Sequence, residues 1–365
     1  MGLVARTTPL GSTDSQLRAG WLELLGAARV DLSMAPQWFE STARSRGVAE
    51  RAHVFTVHDS GRLVGLIPYL VTTERLAGIA ARSRETPGSY LMAYHPEVIS
   101  VADTDAVLDL YLQDSARYCD VVVLPNLRKG GRTATAALQA ASRLGLTCGS
   151  LAGHASPFLE INSDWPAFLQ AKSANFRSNV KRKARKLSEA GAVTNRWFSG
   201  ADEVEQLLAE VLAIEEHSWK SGAGMAISAS EMEREYYRLL LPFIAAQNAL
   251  HANVLYLDAV PIAYSLCYVS DSCVRQMKTS FDQRYGQLSP GTVCYEIAIR
   301  RAFETRAREF DFLGDSMQHK GLWADTLREH VSLYLYLPTW RGALLAGARR
   351  LMAGVRRPWV RRSVS

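Results

Sequence analysis

Apolar positions along this chain recur with two periods, one helical and one alternating, and the order of the resulting elements repeats. Leu17, Trp21, Leu24, Leu25 and Ala28 share one face of an expected helix over 15–30, and a second helix is expected over 36–46. Residues 53–58 alternate as a strand, Asp59-Ser60-Gly61 marks a turn, and 63–71 completes a hairpin. Residues 72–100 show no clear period, with a loop at Pro87-Gly88. A helix over about 103–118, a buried-strand run at 119–124 and a helix over 133–144 follow. A helical region begins at Asp164-Trp165-Pro166. The order then returns: a helix over 202–217, strands over 252–257 and 262–269 joined by an Asp258 turn, and a further strand over 273–281. The segments VHDSGRLVGLIPYLV (57–71) and LYLDAVPIAYSLCYV (255–269) share one strand, Asp-turn, strand pattern. We therefore expect an α/β (α+β) protein of two related units, each a mixed, mostly antiparallel sheet flanked by helices.

The stretch after the last of these strands carries the candidate chemistry. Strict alternation in 273–281 places Arg275, Met277, Thr279 and Phe281 on one face and Gln276, Lys278 and Ser280 on the other. Ser289-Pro290-Gly291 then opens a helix, with Ser289 suited to the N-cap, Pro290 to the first helical position, and Ile299, Ala302, Phe303 and Ala307 at helical spacing. A helix start built of small residues attracts a phosphate through its free N–H groups and dipole. The preceding Arg284-Tyr285-Gly286-Gln287 adds an arginine and a glycine turn. An ordinary capped helix after a turn is the other reading, and both stay open at this point.

Length and charge refine this picture. With 365 residues the chain exceeds one ordinary core, and we place boundaries at 1–160, 161–337 and 338–365. Five cysteines, at 119, 148, 267, 273 and 294, form no CxxC pair and have no histidine at metal spacing, so neither a metal site nor a disulfide framework is indicated. Reduced thiols in a cytoplasmic protein are expected. The first residues lack an apolar leader, and no apolar run is long enough to cross a bilayer. The net charge of +6 is local: residues 338–365 hold seven arginines and no acid, leaving +6 − 7 = −1 for the rest. A second cluster over 172–186 holds seven basic residues and no acid. Its helix is either a solvated face or a contact for phosphate or RNA. In the tail, Trp340, Leu344, Ala348, Leu351, Met352, Val355 and Trp359 form an apolar stripe, which docks on the protein body or lies on an anionic membrane at the inner face.

Taken together, FRSNVKRKARKLSEAG (176–191), EEHSW (215–219), Pro261-Ile262-Ala263, Ser280-Phe281-Asp282, YGQLSPG (285–291), FDFLGD (310–315) and HKGLW (319–323) resemble a known family. It is the acetyltransferase domain associated with cellulose and exopolysaccharide biosynthesis, a branch of the GCN5-related N-acetyltransferase (GNAT) superfamily related to Fem-type aminoacyl transferases. The resemblance covers roughly 170–337, and 30–150 fits a more divergent GNAT-like unit. His319 stands where tyrosine precedes the lysine in that pattern, and Arg284-Tyr285-Gly286 holds the place of the usual pyrophosphate loop only loosely.

The resemblance implies an N-acyltransferase that moves an acyl group from acyl-CoA, acetyl or longer, to the amine of a small metabolite, amino sugar or amino-acid derivative. A Fem-like transfer from aminoacyl-tRNA and a non-catalytic scaffold at the membrane are the alternatives. Donor contacts would come from Arg284, Tyr285, Gly286, Gln287, Ser289 and Gly291. His217, Asp315 and Lys320 are the catalytic candidates, with Asp282 and Glu216 as further bases. Trp219, Lys278, Asp282 and Trp323 are the candidates for the acceptor's walls. The bland alternatives stay open too: a helix-end histidine, a loop aspartate, a solvent lysine and core tryptophans.

Overall fold

The computed structural model describes residues 2–76, 78–87, 96–222, 226–324 and 326–353. In chain order the first half holds β1 (Val4–Pro9), α1 (Ser15–Ala27), α2 (Pro36–Ser45), β2 (Ala52–Asp59), β3 (Arg62–Leu76), β4 (Ile79–Glu85) and β5 (Ile99–Ser100). Next come α3 (Thr104–Ser115), β6 (Val121–Arg128), α4 (Arg132–Arg143), β7 (Thr147–Glu160), α5 (Trp165–Ala171), α6 (Ala174–Ser188) and β8 (Val193–Phe198). Then follow α7 (Val204–Glu216), α8 (Trp219–Gly222), α9 (Glu231–Ala246), β9 (Leu250–Leu257), β10 (Val260–Ser270) and β11 (Cys273–Phe281). The last are α10 (Pro290–Glu304), β12 (Glu309–Asp311), α11 (Gln318–Gly321), β13 (Thr326–Tyr336) and α12 (Trp340–Ala353).

These elements form two compact units, neither continuous in sequence. One comprises Met1–Ala28, Glu50–Gly153 and His330–Ser365; the other comprises Arg29–Ala49 and His154–Glu329.

In the first unit, β2 and β3 form a hairpin whose turn residues Ser60 and Gly61 both have positive φ, the backbone that a two-residue turn between twisted strands needs. β4 joins β3 antiparallel, and β6 runs parallel to β4 with Arg84 opposite Val122. The 330–336 part of β13 lies antiparallel on β6. Val122 and Leu124 meet the core beneath α3 and α4, while Val121 and Val123 pack with Leu345 and Ala346 of α12 on the other face. Burial on both faces explains why this strand reads as a continuous apolar run.

Gly342 marks how tightly α12 enters. A Cβ there would lie 2.2 Å from the Leu337 carbonyl oxygen, so Gly342→Ala is expected to cost about 1–3 kcal/mol by overpacking. Gly347, with nothing near its missing Cβ, is the control. Equal thermal midpoints for the two alanine variants would refute the close approach.

The second unit repeats the same order. β9 and β10 are joined by Asp258 and Ala259, both left-handed; β11 is antiparallel to β10; and β12, reached through α10, runs parallel to β11 with Arg275 opposite Asp311. The 158–160 end of β7 pairs with β12, and β8 with β9. α5, α6 and α10 cover one face through Phe168, Val180, Ala298, Ile299 and Ala302. α7 packs on β10 and β11 over the other face, with α9 beside it. α2 also belongs to this unit, packed on α9, and Trp38 meets Tyr268 edge-on at 4.9 Å.

Candidate active site

Strand β11 does not alternate strictly. Leu266 pairs with Lys278 while the next residue, Cys267, pairs with Gln276, so Met277 is an extra residue in a β-bulge. The bulge shifts the phase of the strand. Arg275 pairs with Asp31 at 3.0 Å, and Lys278 reaches α9, both on the α7 side of the sheet. Gln276 instead donates to Ser265 Oγ at 2.9 Å, and Phe281 packs with Val293 and Cys294 on the α10 side. This corrects strict alternation, which joins Arg275 to Phe281 and Gln276 to Lys278.

Beyond Arg275, β11 continues to Phe281 without β12, whose three pairs end there. The Asp282 N–H donates to Ile262 O of β10 at 2.9 Å, so alternation turns the main-chain groups of Phe281 and Thr279 toward the edge that β12 has left. The Thr279 carbonyl there accepts from Lys220 Nζ at 2.5 Å.

Beneath this edge lies a buried polar network. Glu215 is 0% exposed and accepts from Tyr264 Oη at 2.5 Å and from the Ile227 N–H. Lys278 Nζ lies 2.5 Å from Glu233 and 3.9 Å from Glu215. Lys278 is therefore committed to two carboxylates and braces α7 and α9 onto the sheet. It does not wall an acceptor pocket.

Two other lysines differ. Lys220 Nζ bonds the Thr279 carbonyl, and Lys320 Nζ donates to the Leu313 and Asp315 carbonyls at 2.6 and 3.1 Å. Among the described residues neither has a carboxylate in ion-pair range. Burial lowers both amines to about 8, and Lys278 and Lys320 repel Lys220 further. His319, edge-on to Tyr295 at 5.7 Å, is lowered by burial and by both lysines. The ends of β11 and β12 thus carry two amines whose Nζ atoms hydrogen-bond carbonyls, with Glu215 and Glu233 acting on Lys220, and Asp311 and Asp315 on Lys320, from beyond ion-pair range.

The turn into α10 is Gln283–Leu288, a short 3₁₀ helix. Asp282, 1% exposed, takes Arg284 through both carboxylate oxygens, at 2.6 Å to Nη2, and also accepts the Arg284 N–H. Arg284 is raised chiefly by that bond, so its charge is already partnered. Ser289 stands at the N-cap as expected, but it is left-handed (φ 56°, ψ 44°) and its side chain makes no capping bond, which corrects only the expected hydroxyl contact. Gly291 is required because a Cβ would lie 2.8 Å from the Phe281 ring. Gly286 has no positive φ, and Tyr285 packs beside the core of this end. Basic residues of α6 flank the helix start: Lys183 Nζ donates to Thr292 Oγ1 at 3.1 Å, and Lys186 Nζ to the Gln287 carbonyl at 2.9 Å.

The remaining candidates divide. His217 is exposed at the end of α7, and its carbonyl accepts the Gln283 N–H at 2.9 Å. Asp315 is exposed, with its carbonyl on Lys320. Trp219 is 41% exposed beside Lys220. Trp323 is 2% exposed and packs against Phe176 at 4.9 Å, which makes it core. Asp311 is structural, salt-bridged to Arg328 and accepting the Leu313 N–H. Lys220 carries no local sequence signal; Lys183 and Lys186 were visible only as members of the basic cluster. Among the described residues no group of histidines, cysteines and carboxylates could hold a metal, and no helix is long and apolar enough to cross a membrane.

Comparison with known proteins bears on this geometry. Residues 174–321 match the model of the acetyltransferase (GNAT) domain. No curated protein matches the chain. Among solved structures, the chain is similar to the C-terminal domain of a putative lysylphosphatidylglycerol synthetase from Agrobacterium fabrum (12% identity, 95% of this chain and 100% of that one, TM-score 0.56). It is also similar to FemX (12%, 92% and 98%, TM-score 0.58) and to L-PGS from Bacillus licheniformis (10%, 94% and 98%, TM-score 0.53). At these identities the likeness is one of fold. Residues 174–321, which contain the opened β11 edge and both lysine pairs, are the part of the chain that matches the acetyltransferase (GNAT) domain, and that match supports an acyltransferase.

Proposed function

We propose that this protein transfers an acyl group from acyl-CoA to the amine of a small acceptor by direct attack. The observation that carries the reading is the divergence of β11 from β12 immediately before a helix start flanked by Lys183 and Lys186. In this reading the donor's phosphates sit at the α10 start, where N–H groups, the helix dipole and two ammonium groups converge. The thioester carbonyl lies along the outward-turned edge of β11, where a main-chain N–H of Thr279 or Phe281 stabilises the developing oxyanion. The C–N bond forms as the C–S bond breaks, the acceptor nitrogen loses a proton, and the thiolate gains one. His217 and Asp315, exposed at the mouth, are the proposed proton acceptors. Lys320, with Lys220, holds an acidic group of the acceptor. The resemblance to exopolysaccharide-type acetyltransferases favours an amino sugar or amino-acid derivative.

The test is calorimetric titration with acetyl-CoA and longer acyl-CoAs. Binding is expected, and replacing both Lys183 and Lys186 by alanine is expected to weaken it about 10- to 100-fold, the size of losing charge-assisted hydrogen bonds. Absence of affinity for every CoA ester would sink the reading. A second reading, transfer from aminoacyl-tRNA, is favoured by the exposed Lys181, Arg182 and Arg185 on the outer face of α6 and by the resemblance to Fem-type enzymes. Reversal of these three to glutamate, or RNase treatment, then abolishes activity; indifference to both removes it.

A further inference from the structure

Helix α12 has two apolar faces. Leu345 and Ala346 are 3% and 6% exposed and pack on Val121, Val123, Tyr334 and Tyr336 of the first unit, while Gly342 presses on the Leu337 carbonyl. On the opposite side Trp340 is 67% exposed and Leu344 51%, with Ala343 exposed between them. These three fall at i, i+3 and i+4, and Leu351 continues the same stripe in sequence. A helix anchored by one face has no need of a second apolar face for folding. An outward Trp-Leu pair one turn apart removes apolar area from water only when something covers it.

The charge around the stripe identifies what covers it. Arg341 stacks over the Trp340 ring at 4.7 Å, whereas Arg349 lies on the docked face over Tyr334, and the sequence adds Arg350, Arg356, Arg357, Arg361 and Arg362 with no acid from 338 to 365. An apolar edge flanked by Arg341, in a segment whose sequence is rich in arginine and free of acids, complements a surface that is anionic at its boundary and apolar just beneath. Tryptophan suits that boundary because its ring is apolar and its N–H is not. Nucleic acid would use the arginines but gain nothing from Leu344 and Ala343.

We propose that α12 seats the protein on an anionic lipid bilayer, with Trp340, Ala343 and Leu344 entering the headgroup boundary and Arg341 beside them facing lipid phosphates. The helix stays docked by its inner face while it does so, so the protein binds without unfolding its first unit.

The test uses the full chain, with flotation on vesicles of phosphatidylcholine alone and with one-third phosphatidylglycerol, at low and high salt. Binding is expected only to the anionic vesicles and is expected to weaken with salt. The pair of substitutions Trp340→Ser and Leu344→Ser is expected to reduce it at least tenfold, while thermal unfolding and acyl-CoA binding stay unchanged. No binding to anionic vesicles, equal binding to both kinds, or full binding by the double variant would each overturn the proposal. So would retention of RNA by a protein that ignores vesicles. Because acyl-CoA binding is read separately, loss of the membrane role is distinguishable from loss of the catalytic reading.

Discussion

Lys320→Met is expected to raise the acceptor KM about 10- to 100-fold and, in the same protein, to flatten the rise of stability with pH. On the acceptor site proposed above, the first effect is the loss of a charge-assisted hydrogen bond to the acceptor's acidic group. The second follows from burial. The folded amine titrates near 8, whereas an unfolded lysine does so near its ordinary 10.5. Between those values the unfolded chain holds a proton that the folded chain has released. Stability contributed by this group therefore rises with pH through the window, by about 1.4 kcal/mol per pH unit in its middle. Below 8 the folded state carries the full cost of a buried cation, which methionine removes. Burial also pushes Cys119 and Cys267 up to about 11 and 12, so these thiols act in the opposite direction over part of the same range. The readout is accordingly the difference between wild-type and variant unfolding free energies from pH 7 to 10.5. Lys220→Met is expected to behave alike, since its amine is lowered to about 8 for the same reason. Parallel curves would mean that Lys320 is solvated, and an unchanged KM would remove it from the acceptor site.

The largest loss of stability is expected from Arg328→Ala. Arg328 is 9% exposed, lies over the Phe158 ring at 4.3 Å, and bonds Asp311 and, at 2.7 Å, Glu309. Truncation takes from the fully buried Asp311 carboxylate, in the strand that pairs with β11, the guanidinium it is salt-bridged to. Removing one partner of a buried pair typically costs about 3–5 kcal/mol, where the intact pair contributes far less. Arg308, whose partner Asp271 is 41% exposed, is the contrast: Arg308→Ala is expected to cost under about 1 kcal/mol. Urea unfolding of both variants checks this, and comparable losses would show that the Arg328 pair is not buried in solution.

Much of the scaffold was legible because it is local. The hairpins came from alternation around turns whose residues accept positive φ, as Ser60-Gly61 and Asp258-Ala259 do. The helices came from apolar spacing: 36–46 is observed at Pro36–Ser45 and 133–144 at Arg132–Arg143. Within 72–100, the part over 72–85 resisted because β3 and β4 pair there through polar residues such as Thr72, Thr73 and Arg82, and the expected loop at Pro87-Gly88 lies partly outside the described residues.

The sequence singles out the stretch from β11 through α10 but not the state of its side chains. Arg284 is bound by Asp282, Gly291 makes room for Phe281, and Trp323 is core. Which residue is free to meet a ligand depends on what its neighbours have already taken, and some of those neighbours are distant in sequence. Lys278 finds Glu233 from 45 residues away, and Arg275 finds Asp31 from the amino-terminal region.

Sequence by itself therefore determined the repeated order of strands and helices, the helix start at Pro290 and the two concentrations of basic charge, because each rests on periodicity, turn chemistry or composition within a few residues. Only the tertiary structure decided that 29–49 joins the second unit, that a bulge at Met277 changes which side chains share a face, and that Lys220 and Lys320 meet carbonyls rather than carboxylates. A bulge alters phase without altering composition, and a lysine's charge is tuned by burial that no local pattern records.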